Sequence, residues 1–262
     1  MNPNPLGRAL PLVLALGAAL SACHQKAAQS GGGDACTDEF RAGQPSSSVG
    51  GTRLLCRDQY IAVYDPARKV PLVVGEHLLP DELSGSESRS NNFAPDPDLH
   101  AGQRAELSDY RGSGYDRGHM APAADFHESA TDMTQSFYLS NMVPQNPVMN
   151  RGIWAGLESA TRNCAKTMGG VYILTGPIFE GRARTIGPDN VAVPSSLYKI
   201  VVSGNASRAF LMPNRSLPKT SNFARYETSV DEVQLASGLV FFPAGGVNTQ
   251  ARGDFCRGSY GS

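Results

Sequence analysis

The chain has 262 residues, of which 40% are apolar, so it can bury a full core, and we expect one large domain rather than two small ones. Its formal net charge is −1, which excludes a bulk positive field that would attract nucleic acid. Any binding of a polyanion must therefore come from a local cluster of arginines.

The N-terminal segment is typical of an export signal. Arg8 precedes an apolar run over residues 9–20 that is too short to span a bilayer as a helix. The run ends in Leu20-Ser21-Ala22-Cys23, which resembles the bacterial lipobox. We expect a lipoprotein-type signal peptide over residues 1–22, lipid on Cys23, and a membrane-anchored protein in the periplasm or on the cell surface. The alternative is an ordinary cleavable signal with an incidental cysteine.

Removal of residues 1–22 takes away one charge, that of Arg8, and leaves a net charge of −2. Residues 23–35 are polar and rich in glycine, which predicts a flexible tether ahead of a folded domain over residues 36–262.

Four cysteines remain when Cys23 is set aside, and an even number in an exported chain predicts two disulfides. Three pairings are possible. We favour Cys36 with Cys56, which closes a short loop, and Cys164 with Cys256, which joins the chain end to a helix.

The first predicted elements are two strands, over residues 59–65 and 70–78, joined by a turn at Pro66. Residues 80–114 form a long loop dense in Ser, Asn, Asp, Pro and Gly. A loop of that length inside a compact domain is usually functional or disordered.

Residues 135–145 are predicted to form a further strand and turn. Apolar residues then recur at steps of three and four from Met149 to Met168, which predicts an amphipathic helix that ends at Gly169. The segments VYILTG, LYKIVVS, RAFLMP and GLVFFP favour core strands, and Ser229 begins a capping box for a short helix that Gly238 ends. The fold class is α+β with a mixed, mainly antiparallel sheet.

The stretch Asp116-Arg117-Gly118-His119 carries groups suited to phosphate chemistry. His119 can be neutral near pH 7 and accept a proton, and Arg117 presents a planar fork of donors that matches phosphate oxygens. We expect Gly118 to allow a tight turn between them. A lone histidine is more often a core or surface residue, and that interpretation is given to the other four: His24, His77, His100 and His127.

Three oxygen-bearing side chains, Asn141, Asn150 and Glu158, surround the start of the predicted helix, and hard divalent cations prefer such ligands. On a regular helix Asn150 and Glu158 are about 80° and about 12 Å apart. One ion cannot take both directly, so we expect Asn150 to bind the ion itself and Glu158 to bind it through water.

The segments DRGHMAP (116–122), SNMVPQ (140–145) and NRGIWAGLE (150–158) together resemble the DNA/RNA non-specific endonucleases of the endonuclease G-like, ββα-metal or His-Me finger class. Weaker similarity extends over residues 56–242. The resemblance implies a ββα-metal active-site motif, a general base at His119, a direct Mg²⁺ ligand at Asn150, with Mn²⁺ as a possible substitute, and Glu158 ordering the waters of the ion.

The resemblance also implies that Arg117 is an electrophilic partner of the phosphate and that Asn141 supports the active site. Arg89 resembles a second phosphate-binding arginine, although Arg104 or Arg111 could take that place. Asp116 is interpreted as structural, with direct metal binding as the alternative.

The implied activity is Mg²⁺-dependent, sugar-non-specific endonucleolytic hydrolysis of DNA and RNA to products with 5′-phosphate ends. Substrate binding would use phosphate contacts, and the sequence indicates no protein partner. Two alternatives remain open: a phosphodiesterase of narrower substrate range on the same scaffold, and a non-catalytic, nucleic-acid-binding lipoprotein.

Overall fold

The computed structural model describes residues 36, 38–220, 222–250 and 252–260. The predicted signal peptide over residues 1–22 and the tether over residues 23–35 lie outside these residues. Among the described residues, no helix combines the length and the apolar character needed to cross a membrane.

The strands of the described chain are short except for four in the main sheet. In chain order they are β1 (Ser46–Ser47), β2 (Arg53–Cys56), β3 (Ile61–Asp65), β4 (Val70–Leu78), β5 (Asp116–His119), β6 (Met142–Gln145), β7 (Val171–Ile178), β8 (Arg184–Ile186), β9 (Val191–Val193), β10 (Ser196–Ser203), β11 (Ala206–Pro213), β12 (Glu227–Thr228) and β13 (Leu239–Val240).

The helices are α1 (Leu107–Tyr110), α2 (Ala130–Ser136), α3 (Pro147–Met149), α4 (Ala155–Met168), α5 (Val230–Ser237) and α6 (Arg257–Tyr260). Short 3₁₀ turns cover Glu82–Ser84, Ala123–Asp125, Leu139–Asn141 and Ala224–Tyr226, and a π-helical segment covers Asn150–Trp154.

The main sheet has seven antiparallel strands in the order β12-β11-β10-β7-β4-β3-β2. Its central strands are buried on both faces, which explains their nearly continuous apolar sequences. The fold class predicted from the sequence, α+β with a mainly antiparallel sheet, is therefore confirmed.

The two faces of the sheet bury separate cores, because successive side chains of a strand point to opposite sides. One face, which includes Val74, Ile173 and Val201, packs against α4. The other face packs against α5 and the segment around Phe40. The chain segments with the predicted site residues lie on the α4 side.

Several predicted elements match the structure closely. Strand β4 has the predicted bounds 70–78, and α5 has the predicted capping box at Ser229 and ends at Gly238 in the left-handed conformation. The prediction of a strand at GLVFFP was mostly wrong. Only Leu239–Val240 are extended there, and the following Phe241 enters the core from a turn, with its N–H bound to the Gln234 side chain.

The long loop over residues 80–114 is mostly irregular, as predicted, and it is tied to the rest of the domain by charge. The Asp96 carboxylate, which is fully buried, accepts from Arg57 at 2.5 Å and from the Ser140 hydroxyl. Earlier in the loop, the Ala94 N–H donates to the Phe137 carbonyl at 3.2 Å, and the Ala94 carbonyl accepts from the Leu139 N–H at 2.9 Å. These bonds fix the position of the loop beside β5 and β6.

The predicted amphipathic helix is not regular at its start. A π-helical segment precedes α4, and Gly152 within it departs from helical geometry, with φ −108° and ψ −105°. The expectation that Asn150 and Glu158 are separated as on a regular helix, by about 80° and about 12 Å, was therefore wrong. From Ala155 onward the helix is regular, and it ends at Gly169 in the left-handed conformation, as predicted.

The DRGH stretch is strand β5, which pairs with β6, so the expectation of a tight turn at Gly118 was wrong. Gly118 lies beside Gln145, and a Cβ atom at this position would overlap the Gln145 side chain. The prediction of a strand and turn over residues 135–145 was only partly right, because α2 ends at Ser136 and a 3₁₀ turn lies between α2 and β6.

Both disulfides form as favoured: Cys36 with Cys56, and Cys164 with Cys256.

The close approach of Gly118 to Gln145 predicts a steric cost for any side chain at position 118. We expect Gly118→Ala to lower the free energy of unfolding by about 1–3 kcal/mol, because an extra methyl group in a packed site forces neighbours apart. Urea unfolding measures this change. The matched control is Gly50→Ala, since a Cβ atom at Gly50 meets no neighbour within 4 Å. Equal stability of the two variants would contradict the packing interpretation.

Candidate active site

A cleft of about 420 Å³ opens between β5, the long loop and the start of α4. It brings together five of the six predicted site residues: Arg89, Arg117, His119, Asn150 and Glu158. The sixth, Asn141, lies outside the lining. The remaining lining residues are Asn91, Phe93, Asp116, Pro122, Ala123, Ala124, Arg151 and Ala155.

His119 sits at the end of β5 in an aromatic setting. Its ring meets the edge of Phe137 at 5.0 Å between ring centres and Phe93 at 5.6 Å, and the two phenylalanines contact each other at 4.9 Å. Its Nε2 atom is buried and has no hydrogen-bond partner among the described residues. Burial, with Arg89 and Arg117 nearby, lowers the pKa of His119 from 6.5 to about 3. The imidazole is therefore neutral at pH 7 and can accept a proton.

The two arginines rest on the same aromatic rings. The Arg117 guanidinium lies 4.1 Å from the ring centre of Phe93, and that of Arg89 lies 5.0 Å from the ring centre of Phe137. Arg89 also donates from Nε to the Asn91 side chain at 2.7 Å. Both guanidinium groups are thus held at the wall of the cleft beside His119.

Asp116 joins β5 to the start of the helical region. Its carboxylate accepts from Asn150 Nδ2 at 3.0 Å and from Arg151 Nε and Nη2 at 2.8 and 2.5 Å. Because a carboxylate only accepts hydrogen bonds, the Asn150 amide must turn its nitrogen toward Asp116. The Asn150 carbonyl oxygen then remains as the atom that can bind another group.

Glu158 lines the inner part of the cleft, above a group of buried charges. Burial raises the pKa of Glu158 to about 7, and Lys199 and Arg162 oppose that rise. Arg162 pairs with Asp125 at 2.8 Å, and Lys199 donates to Thr175 at 2.7 Å. Burial also raises the pKa of Glu76 well above its usual range, with a further contribution from Asp125.

Asn141 supports the segment that follows His119. Its Nδ2 donates to the carbonyls of Ala121 and Ser136 at 2.8 and 2.9 Å, and its Oδ1 accepts from the Ala121 N–H at 3.0 Å. Its backbone carbonyl accepts from the Met120 N–H at 2.9 Å. These four bonds fix the backbone that leaves β5, so Asn141 is positioned to act on the site through the chain.

The alternatives to Arg89 lie elsewhere. Arg104 pairs with Glu106 and donates to the carbonyls of Asp96 and Leu99, and neither Arg104 nor Arg111 lines the cleft.

The sequence did not indicate the aromatic residues Phe93 and Phe137 or the cleft residue Arg151. The position of Arg151 beside Asn150 could have indicated Arg151. No periodic pattern marks Phe93 or Phe137 as residues of the site.

The oxygen donors of the cleft fit a hard divalent cation with few protein ligands. They are the free carbonyl oxygen of Asn150 and the carboxylate of Glu158. No group of three or more His, Cys, Asp and Glu side chains in the described part of the chain is placed to hold a metal ion. An ion bound here would keep open positions for substrate oxygens.

A neutral histidine, two guanidinium groups and two oxygen donors on one cleft are typical of hydrolases that act on phosphate esters. The comparisons with known proteins give a narrower result. The family model of the DNA/RNA non-specific endonucleases matches residues 40–247, so the chain belongs to this family.

Among curated relatives, human mitochondrial endonuclease G is 36% identical over 207 residues, which cover 73% of this chain and 70% of that protein. Nuclease C1 of Cunninghamella echinulata var. echinulata is 37% identical over 218 residues, which cover 76% and 86%. A chain in the crystal structure of the EndoG/EndoGI complex superposes with a TM-score of 0.71 at 30% identity, and covers 76% of this chain and 89% of its own. These relatives are nucleases, which supports nuclease activity for this chain.

The lowered pKa of His119 can be measured directly in the metal-free protein. We expect the His119 imidazole resonance to show no titration from pH 8 down to about pH 5, because burial and the two arginines disfavour its charged form. The His119→Ala variant assigns the resonance among the five histidines.

Arg89→Met should raise this pKa because it removes one positive neighbour, whereas Arg111→Met, outside the cleft, should leave it unchanged. A His119 midpoint near 6.5 in the wild-type protein would show that the imidazole is not buried among these groups.

Proposed function

We propose that this protein is a metal-dependent, sugar-non-specific endonuclease that cuts DNA and RNA to products with 5′-phosphate ends. The observation that carries the proposal is the shared cleft: His119, Arg117, Arg89, Asn150 and Glu158 line one cavity, although they come from three separate parts of the sequence. Membership of the non-specific endonuclease family supports the same activity.

In the proposed reaction, His119 is the general base. Its neutral imidazole accepts a proton from a water molecule as that water attacks the phosphorus atom, a role for which a positioned base contributes about 10²–10⁴-fold to the rate. The aromatic surroundings keep the base unprotonated until the reaction begins. The buried Nε2 atom without a partner is the candidate proton acceptor.

Arg117 and Arg89 bind and orient the phosphate. Their guanidinium groups are fixed on Phe93 and Phe137, so little reorganisation is needed as negative charge grows on the phosphoryl oxygens. Both lie near His119, since each contributes to the lowering of its pKa. The arginines therefore serve binding and charge stabilisation at the same phosphate.

Asn150 would hold a Mg²⁺ ion directly through its carbonyl oxygen, and Glu158 would hold it through water, with Mn²⁺ as a substitute. When bound, the ion supplies Lewis acidity toward a non-bridging phosphate oxygen and toward the departing 3′ oxygen. The strand pair β5–β6 followed by the helical region supports the proposed ββα-metal motif. Asp116 acts as the residue that orients Asn150, through the bond at 3.0 Å.

The proposed contacts go to phosphate and metal, which carry no base identity, so we expect low sequence specificity and activity on both DNA and RNA. We also propose export and anchoring through lipid on Cys23. The two disulfides support an oxidising compartment for the folded domain.

A cleavage assay with plasmid DNA and with RNA tests the proposal. We expect His119→Ala to lower the rate by about 10²–10⁴-fold because the base is lost, and we expect chelation of divalent ions or Asn150→Ala to abolish most cutting. End-labelling of the products should show 5′-phosphate termini. The rates are measured in magnesium at pH 7.5.

Matched controls are His100→Ala and Asn163→Ala, which change the same residue types at exposed positions outside the cleft. Both should cut at the wild-type rate. Full activity of His119→Ala would remove the assigned base, and binding without cleavage by the wild-type protein would favour the non-catalytic alternative.

A further inference from the structure

A second cavity, of about 230 Å³, includes Tyr115, the residue before Asp116 of the cleft, and nothing in the proposed chemistry uses it. It is lined in part by Tyr115, Phe179, Arg182, Arg184 and Asn214, and we call it the arginine cavity. The following inference rests on the proposed function, because it concerns how the same substrate extends beyond the scissile phosphate.

The arginine cavity and the cleft take lining residues from adjacent positions of the chain. Tyr115 lines the cavity and Asp116, the next residue, lines the cleft, so their Cα atoms are about 3.8 Å apart. Asn214 donates to the carbonyl of Pro144 at 3.0 Å, and Pro144 is the pairing partner of Arg117 across β5 and β6. A chain molecule that has one phosphate at Arg117 would reach the arginine cavity by following this strand pair.

The charge of the arginine cavity is unbalanced. Arg182 and Arg184 are exposed, and within the described part of the chain the side chain of neither forms a hydrogen bond or an ion pair. Glu180 is the one carboxylate in the lining. In a chain with a net charge of −1, two unpaired guanidinium groups in one cavity form a local anion-binding surface.

The cavity also contains aromatic surface. Tyr115 and Phe179 are half-buried, and Phe179 is held from one side by the Arg68 guanidinium at 5.2 Å from its ring centre. Aromatic rings beside cations suit single-stranded nucleic acid, because bases stack on the rings and phosphates bind the cations without reading of base edges.

We propose that the arginine cavity is a second substrate-binding site, which binds nucleotides of a single strand next to the scissile phosphate. Arg182 and Arg184 bind backbone phosphates, and Tyr115 offers a surface for one base. The cavity thereby supplies affinity for polynucleotides that the cleft alone does not provide. It favours long substrates over short ones and is indifferent to sequence.

Binding is tested in the His119→Ala background with chelator, so that no substrate is cut. The probe is a fluorescent single-stranded oligonucleotide of about 12 nucleotides, with anisotropy measured from about 50 to 200 mM KCl. Arg182→Ala/Arg184→Ala should weaken binding by about tenfold near 100 mM KCl, and it should make the slope of log K against log[salt] shallower by about 1.4, for two lost phosphate contacts.

The matched control is Arg41→Ala/Arg252→Ala, which removes the same charge at the opposite end of the β10–β11 hairpin. Arg41 bonds to the carbonyl of Gly204 in the hairpin turn, and the residue after Arg252 bonds to Ser207. That end is roughly 25 Å from the arginine cavity, given about 3.3 Å per residue of strand. An equal loss of affinity and slope in both double variants would overturn the proposal, since it would reflect net charge alone.

Glu180→Gln tests the proposal in the opposite direction. Removal of the one carboxylate in the lining should tighten binding by about two- to threefold, a change that a folding defect cannot produce. Unchanged or weaker binding by this variant would count against a phosphate site in the cavity.

Cleavage by the active enzyme adds a readout of substrate length. In the wild-type protein, kcat/KM should rise from a trinucleotide to an oligonucleotide of about 12 nucleotides, and Arg182→Ala/Arg184→Ala should reduce this rise while kcat at saturation stays within about twofold. An equal loss of kcat/KM on the short and the long substrate would contradict a role of these arginines in binding the extended strand. A wild-type protein that cuts neither substrate would refute the proposed function, and the binding experiment would still decide the role of the cavity.

Discussion

The geometry of the cleft depends on the carboxylate of Asp116. It lies in β5, 34 residues before Asn150, and it accepts three hydrogen bonds from Asn150 and Arg151 at 2.5–3.0 Å. These bonds lock the irregular start of the helical region, including the non-helical Gly152, against the strand that carries His119. A side chain interpreted as structural therefore determines where the Asn150 carbonyl oxygen, the proposed metal ligand, points. His119 and Asn150 face one cleft because this carboxylate connects their two elements.

The second constraint is the aromatic environment of His119, the proposed base. Phe93 and Phe137 contact the His119 ring and at the same time support the guanidinium groups of Arg117 and Arg89. Two cations beside a buried imidazole would be unfavourable if it were protonated, so the two arginines that we propose to bind phosphate also favour the neutral form of His119. Glu158 lies near two buried carboxyl groups, those of Glu76 and Asp125, and near the cations of Arg162 and Lys199. Burial shifts the pKa values of all three carboxyl groups upward.

Local sequence patterns predicted the parts of the fold that depend on local chemistry. Strand β4, the capping box at Ser229 and the end of α4 at Gly169 follow from an apolar run and from capping residues. The cysteine count predicts two disulfides but leaves three possible pairings. Local patterns did not predict strand β5, because Gly118 packs closely against Gln145, which is distant in the sequence. They also did not predict the π-helical segment, in which Gly152 departs from helical geometry. The motif residues of the site were predicted, whereas Phe93, Phe137 and the Asp116 bridge depend on long-range contacts that no local pattern contains.

The proposed convergence of base, arginines and metal ligand on one phosphate is tested most directly by a crystal structure of the His119→Ala variant with Mg²⁺ and an uncut single-stranded oligonucleotide. We expect the Asn150 carbonyl oxygen to lie about 2.0–2.1 Å from the ion, with Glu158 reaching it through water. We expect one phosphate to contact the ion and Arg117 together, next to position 119. An ion bound away from Asn150, or a phosphate that contacts the arginines but not the ion, would contradict the shared site.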